Sequence, residues 1–269
     1  MTESTKSRSP ARRLLRRRLV VAGMLASLAA GRAASAQNTA VSVAPPVSMP
    51  VEAATLAVFG DSLGDGLWGS LFRRFAWTND IRVHRGSKAA TGFNRTPYED
   101  GLAALLDEQP IRVAIMFTGA NDAQDAFPLE PGGHGGLFFS ANWLPLYRRR
   151  LRRFHELASA RNLLLLWIGL PTMRDAWFEA RIARVRAAQR EVCKEFDVPY
   201  LDLVPMSANP TGTFADAAGI ARALRYEDGI HLTAHANDGI ADMALHWLLD
   251  EAPAWIDAGM EQRLRHGLR

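Results

Sequence analysis

The stretch Thr55-Leu-Ala-Val-Phe-Gly-Asp-Ser-Leu-Gly-Asp65 decides how the chain is read. Leu56 to Phe59 form an apolar run of the kind that fills a buried strand. The run breaks at Gly60, after which Leu63, Leu67, Leu71 and Phe75 repeat with helical spacing. Ser62 therefore stands at a strand-to-helix turn, at the carboxyl end of the first strand, where open α/β sheets bind ligands. A serine there exposes its hydroxyl, and its backbone N–H is one of the free donors of a helix start. Serine is also a common N-cap, so this turn alone leaves nucleophile and cap both open.

Downstream, apolar strands alternate with helical patterns. A short second strand is predicted over 81–85 and a helix over 98–109, with Leu102, Leu105 and Leu106 on one face. A strongly apolar strand over 111–118 is followed by a Gly/Pro-rich loop (Pro128 to Gly136), a helix over 143–160 and a fourth strand over 163–168. A long helix over about 174–196, a fifth strand over 200–204, a loop over 205–229 and a last helix from about 231 to 250 complete the series. This alternation predicts an α/β fold, a five-stranded parallel sheet covered by helices on both faces. The residues after Pro253 suit a small amphipathic tail helix with no predicted place.

The front of the chain has a different character. Arg12, Arg13, Arg16, Arg17 and Arg18 precede an apolar stretch over 19–30 that is too short to span a membrane. Ala34-Ser35-Ala36 then forms an A-x-A cleavage site, so residues 1–36 read as an export signal of Sec or twin-arginine type. Residues 37–54, with Pro45, Pro46 and Pro50, read as a linker without a core. The domain is expected over 55–250 with a tail over 251–269, and the mature protein is expected in the periplasm or outside the cell, without a stable membrane span.

The full chain carries a net charge of +4, but residues 1–36 hold eight of its 32 basic and one of its 28 acidic residues, so the remainder is near −3. That balance argues against a nucleic-acid partner. Arg148, Arg149, Arg150, Arg152 and Arg153 are expected to coat a solvated helix face. A single cysteine, Cys193, excludes an intramolecular disulfide and suits a buried small residue.

Other chemistry-bearing residues fall where strands finish. The third strand ends in Thr118-Gly-Ala-Asn-Asp122, where Asn121 either aims an amide at the first strand's mouth or serves as a turn residue. The second strand leads into Gly86-Ser-Lys-Ala-Ala-Thr-Gly-Phe-Asn94, where Gly92, with Gly86 as rival, allows close backbone approach to a ligand. The last loop holds Asp228 and His231, three apart and spanning the expected helix start. An aspartate there orients one ring nitrogen and leaves the other to face a serine, or simply caps the helix beside an incidental histidine. His231 and His235 are four apart, as on a zinc helix, and Asp238 follows, but Leu232 stands where His-Glu-x-x-His needs a glutamate. No metal or other cofactor is expected. Trp68, Trp143 and Trp177 are candidates for a sugar platform, against core packing or a helix face.

Jointly, Gly60-Asp-Ser-Leu63, Gly92, Gly119-Ala-Asn-Asp122 and Asp228-Gly-Ile-His231 resemble the blocks of the SGNH (GDSL-type) hydrolase family over about 55–250. The runs Ser87–Arg95 and Gly119–Gln124 look more specifically like its exported bacterial DUF459 subgroup. The resemblance implies a three-layer α/β/α, flavodoxin-like fold and ester hydrolysis through an acyl-enzyme. It assigns Ser62 as nucleophile, His231 as base and acid, and Asp228 as the group orienting His231, with the Ser62 N–H, the Gly92 N–H and the Asn121 amide as the oxyanion hole. The expectation is an exported serine esterase that removes a small acyl group, such as acetyl, from a cell-envelope or extracellular glycan. The alternatives are a periplasmic polysaccharide O-acyltransferase using the same triad, and a non-catalytic binding module. Lipid esters stay within the substrate class, although no long apolar lid segment is visible.

Overall fold

The apolar run becomes β1 (Ala54–Gly60), flanked on both sides in a five-stranded parallel sheet of order β2-β1-β3-β4-β5. The computed structural model describes residues 54–77, 81–129, 132–208, 224–256 and 258–268. The other strands are β2 (Ile81–Ser87), β3 (Val113–Phe117), β4 (Leu164–Ile168) and β5 (Tyr200–Leu201). Val58 sits between Arg85 of β2 and Ile115 of β3. Every residue of β3 and β4 is buried, because helices cover both faces of the sheet, which is why these strands read as continuous rather than alternating apolar runs.

The long helices are α1 (Ser62–Phe75), α2 (Tyr98–Glu108), α3 (Trp143–Ala160) and α4 (Ala176–Glu195). After the short α5 (Val204–Ser207) come α6 (Ala234–Glu251) and α7 (Ala258–Gly267). One layer packs α1 against α6 and α7; the other packs α3 against α2 and α4. Leu67 and Leu71 of α1 and Leu245 and Leu248 of α6 have no exposed surface. The tail helix thus acquires a place: it buries Met260 and Leu264, and the Gly267 carbonyl accepts from Arg74 Nη1 at 2.9 Å.

Several boundaries differ from expectation. The fifth strand is two residues long rather than five. Only Trp167 and Ile168 pair with it, and Asp202 Oδ1 accepts the Val204 N–H at 3.1 Å, turning the chain into α5. The last helix begins at Ala234, not 231, because Thr233 is its N-cap. Ala54 belongs to β1 rather than to the linker. The expected signal, the rest of the linker and most of the 205–229 loop lie outside the described residues.

The basic block on α3 is not uniformly solvated. Arg148 and Arg152 pair with Glu191 and Glu195 of α4, but Arg150 is only 5% exposed. Its guanidinium donates to the carbonyls of Phe93, Phe127 and Pro128, so it clamps two loops at the carboxyl edge of the sheet. Phe93 itself plugs into the core between Trp167 (stacked, 5.7 Å) and Phe154 (edge-on, 5.8 Å), anchoring the loop after β2. Cys193 is buried, with its Sγ 3.9 Å from His155 Nε2. Among the described residues no helix is long and apolar enough to cross a membrane.

Gly60 makes the turn out of β1 possible. Its φ is +144°, and a Cβ there would overlap the Phe117 carbonyl of β3. Gly60→Ala is therefore expected to cost at least about 1–3 kcal/mol, the usual range for a residue forced into such a conformation. Urea unfolding should show a lower midpoint at an unchanged m-value; an unchanged midpoint would contradict this account of the turn.

Candidate active site

Asp61, not Ser62, caps α1. Its Oδ1 accepts the Leu63 N–H at 2.9 Å, and Oδ2 accepts the Gly119 N–H at 3.0 Å across the sheet edge. Ser62 is thus the first helical residue, and its hydroxyl is left for other work. Its N–H has no acceptor within the helix, as for any first-turn residue. Asp61 is fully buried; burial raises its carboxyl above the usual carboxylate range against the hydrogen bonds that lower it.

Asp228 and His231 do not span a helix start. They lie in a turn ahead of α6, closed by Tyr226 N–H to His231 O and Gly229 N–H to Tyr226 O, both 3.0 Å. Asp228 Oδ1 accepts the N–H groups of Ile230 (2.8 Å) and His231 (2.9 Å), while Oδ2 stands 2.6 Å from His231 Nδ1. His231 Nε2 is 2.9 Å from Ser62 Oγ. A carboxylate at Nδ1 fixes the proton there, so Nε2 is left to accept from the serine hydroxyl. Partial burial pushes the Asp228 carboxyl up, but the hydrogen bonds from His231 and the two backbone N–H groups outweigh it and hold the carboxyl below its ordinary range. A buried arginine steadies this turn from beneath: Arg225 donates to the carbonyls of Ile230 (2.8 Å), Gly229 (3.2 Å) and Thr172 (2.6 Å).

Gly119, with φ +130°, opens the 3₁₀ turn Ala120–Asp122. The Asn121 carbonyl accepts from Asn94 Nδ2 (3.1 Å) and Gln124 Nε2 (2.6 Å), and among the described residues its side-chain amide has no intramolecular partner. Gly92 lies beside this turn: a Cβ there would collide with the Asp122 carboxylate and the Asn94 amide oxygen. The Gly92 N–H reaches only Thr96 Oγ1, at a long 3.5 Å. Gly86 sits inside β2 opposite Phe59, whose ring fills the space a side chain would need.

Two groups lie beneath the site: Asn94, with no signal beyond its turn chemistry, and Asp122, expected either to brace the Asn121 loop or to point into the site. Asn94 is buried and ties three segments, donating its N–H to Asp122 Oδ1 (2.9 Å) and its amide to the carbonyls of Asn121 and Asp125. Asp122 does not point into the cleft; Oδ2 accepts from Tyr147 OH at 2.8 Å, and Tyr147 accepts from Gln189 Nε2 at 3.1 Å. Burial, reinforced by the neighbouring Asp61, pushes the Asp122 carboxyl up to about 7, against the bonds from Asn94 and Tyr147. Only side chains that converge in the folded chain could reveal this network.

A cleft of about 380 Å³ runs from Ser62, Asp228 and His231 along α1 past Asp65, Gly66 and Gly69 to Arg73. Asp65, at its wall, is held by both Arg85 Nε (2.9 Å) and Nη2 (2.8 Å). His134 and His235 are exposed, and among the described residues no group of three or more His, Cys, Asp or Glu is arranged to hold a metal ion. Of the three tryptophans, Trp143 is core, Trp68 is half-buried with its N–H on the Val83 carbonyl, and Trp177 is exposed.

With this geometry in hand, comparison with known proteins is informative about family and fold. A family profile described as "Protein of unknown function (DUF459)" matches residues 55–247. A GDSL-like lipase from Bacteroides thetaiotaomicron shares the fold at 15% identity, with 74% of this chain and 88% of that chain covered and a TM-score of 0.50. A lipase/acylhydrolase from Enterococcus faecalis matches at 19% identity, 72% and 95% coverage and a TM-score of 0.49. The psychrotrophic esterase EstA from Pseudoalteromonas sp. matches at 16% identity, 75% and 97% coverage and a TM-score of 0.49. At such identities the likeness is one of fold. No curated protein matches the sequence.

The buried carboxylates generate a pH prediction. Asp122 binds its proton more tightly folded than unfolded, so between about pH 4 and 7 the folded state holds the extra proton and stability falls as pH rises. Asp122→Asn removes that dependence while keeping an oxygen acceptor. Urea melts across this window should show the wild type losing up to a few kcal/mol relative to Asp122→Asn. Parallel curves would assign the proton elsewhere.

Proposed function

The chain belongs to the DUF459 family, and we propose that it is a serine esterase of SGNH type that acts through Ser62, His231 and Asp228. The observation that supports this most is the continuous relay from Ser62 Oγ through both nitrogens of His231 to Asp228, at 2.9 and 2.6 Å. A neutral serine is a poor nucleophile until a base takes its proton. In this reading His231 Nε2 removes the Ser62 proton as Oγ attacks the ester carbonyl, and Asp228 stabilises the resulting imidazolium. The Ser62 N–H, the Gly92 N–H and the Asn121 amide receive the charge that develops on the carbonyl oxygen. His231 then returns the proton to the departing alcohol, and water, activated in the same way, releases the acid from the acyl-enzyme.

The proposed substrate is a small acyl ester, such as an acetyl ester, on a cell-envelope or extracellular glycan. An open cleft beside Ser62 suits a bulky alcohol part, and the export pattern over 1–36 supports a mature protein in the periplasm or outside the cell.

Hydrolysis of p-nitrophenyl acetate tests the assignment. Ser62→Ala should lower kcat/KM by roughly 10⁴- to 10⁶-fold with an unchanged Tm. Asn121→Ala should lower kcat about 100- to 1,000-fold, the usual effect of losing one oxyanion donor. A fluorophosphonate should label Ser62 once. Labelling without hydrolysis, with acyl groups passing to an added sugar, would make the same relay an O-acyltransferase. Folded protein with neither turnover nor labelling would remove the esterase assignment altogether.

A further inference from the structure

Eight large apolar side chains are exposed among the described residues. Phe72 and Trp77 belong to α1 and the turn after it; the other six lie in segments that follow β3, β4 and β5, along the edge that carries Ser62. Four of these gather on one side of that edge: Phe127 (55% exposed), Leu137 (70%) and Phe139 (64%) between β3 and α3, and Trp177 (65%) in the first turn of α4. Single exposed apolar residues are ordinary, whereas a contiguous patch marks an interaction site.

Two arginines lie over three of these side chains. The Arg181 guanidinium lies 4.9 Å from the Phe139 ring centre and 4.7 Å from that of Trp177, and its Nε donates to the Ala123 carbonyl at 2.6 Å. Arg95 lies 5.4 Å over Phe127 and donates to Gln124, which in turn holds the Asn121 carbonyl. The patch is therefore built on the same loop as Asn121. Some surface arginines find carboxylates, as in Arg85–Asp65, Arg161–Asp107 and Arg190–Asp202. Among the described residues, neither Arg95 nor Arg181 forms an ion pair. The acid whose field reaches Arg181 is Asp125, and its Oδ1 is committed to the Phe138 N–H at 2.7 Å.

Unpaired guanidiniums among exposed apolar side chains call for a partner both anionic and apolar. A neutral polysaccharide stacks on flat ring faces, but it offers no anion to the two guanidiniums, and Leu137 offers no ring. At a lipid interface the same residues suit their surroundings: rings and Leu137 enter the headgroup–acyl boundary while the guanidiniums meet phosphates. We infer that this patch docks onto an anionic lipid surface, setting the Ser62 edge of the domain against the membrane. The inference goes beyond the proposed esterase activity and does not depend on it.

An environment-sensitive dye at Leu137→Cys tests it in the full chain, since the one native cysteine is buried. With mixed phosphatidylcholine/phosphatidylglycerol vesicles its emission should rise and shift to the blue. The same dye at Glu108→Cys, at the opposite edge of the sheet, should stay unchanged even though both proteins carry the same arginine-rich front. Arg95→Gln with Arg181→Gln should require roughly 30-fold more anionic lipid for half-response. Ser62→Ala should leave docking intact, so lost hydrolysis with retained docking counts against the esterase reading alone. A dye at position 137 that ignores vesicles, or answers a soluble acetylated polysaccharide instead, overturns the proposal, as does an equal response at position 108.

Discussion

The carboxylate of Asp61 has no exposed surface, and its two oxygens answer two different turns. One holds the first turn of α1, the other the Gly119 N–H at the end of β3. Because β1 and β3 are adjacent, this single side chain ties the turn that carries Ser62 to the one that leads to Asn121. Asp122 repeats the device one strand further out, joining the Asn94 loop to the Asn121 turn and to α3 through Tyr147. Burying two carboxylates costs stability unless each is hydrogen-bonded, and here the donors that meet them include the N–H groups of Leu63, Gly119 and Asn94 and the Tyr147 hydroxyl. The raised pKa values of both groups record how incomplete that compensation is. A site held this way resists reorganisation, which is what fixed donors require in order to stabilise developing charge.

The relay residues are held by different means. Asp228 and His231 are each 44% exposed along their side chains, so packing alone does not orient them. The turn itself does: Asp228 accepts two backbone N–H groups before it meets the imidazole, and Arg225 occupies the carbonyls beneath. Arg150 performs the equivalent service for the loops after β2 and β3. Buried arginine recurs under this edge because irregular loops leave carbonyls pointing inward, and a guanidinium has enough donors to satisfy several at once. Arg181 likewise holds the Ala123 carbonyl, but it and Arg95 also lie over the exposed rings of Trp177, Phe139 and Phe127 without an acid among the described residues in salt-bridge contact.

The fold was legible from Leu56 to Leu201 because parallel strands buried on both faces must be short apolar runs, and the helices between them must show one apolar stripe. The same logic pointed to Ser62, Asn121 and the Asp228–His231 turn as candidates, since ligands in such sheets collect where strands end. Local turn chemistry also separated the loop residues from the core. What the sequence determined by itself was therefore the order of elements, the edge on which the site lies, and the residue types able to form a relay.

Only the tertiary structure decided which of several locally equivalent residues did what. Asp61 took the cap that Ser62 was equally able to supply, because only Asp61 also reaches β3. Arg150 left the solvated row of its neighbours because two loops, distant in sequence, present carbonyls to it. The helix expected at His231 begins at Ala234 behind the Thr233 cap, since the Leu224 carbonyl takes the Thr233 N–H at 3.0 Å and extends the turn. The tail helix found its place only through surface offered by α1 and α6. For the cap, the buried arginine and the tail helix the deciding partner lies far away along the chain, and local propensity carries no information about contacts made at that separation.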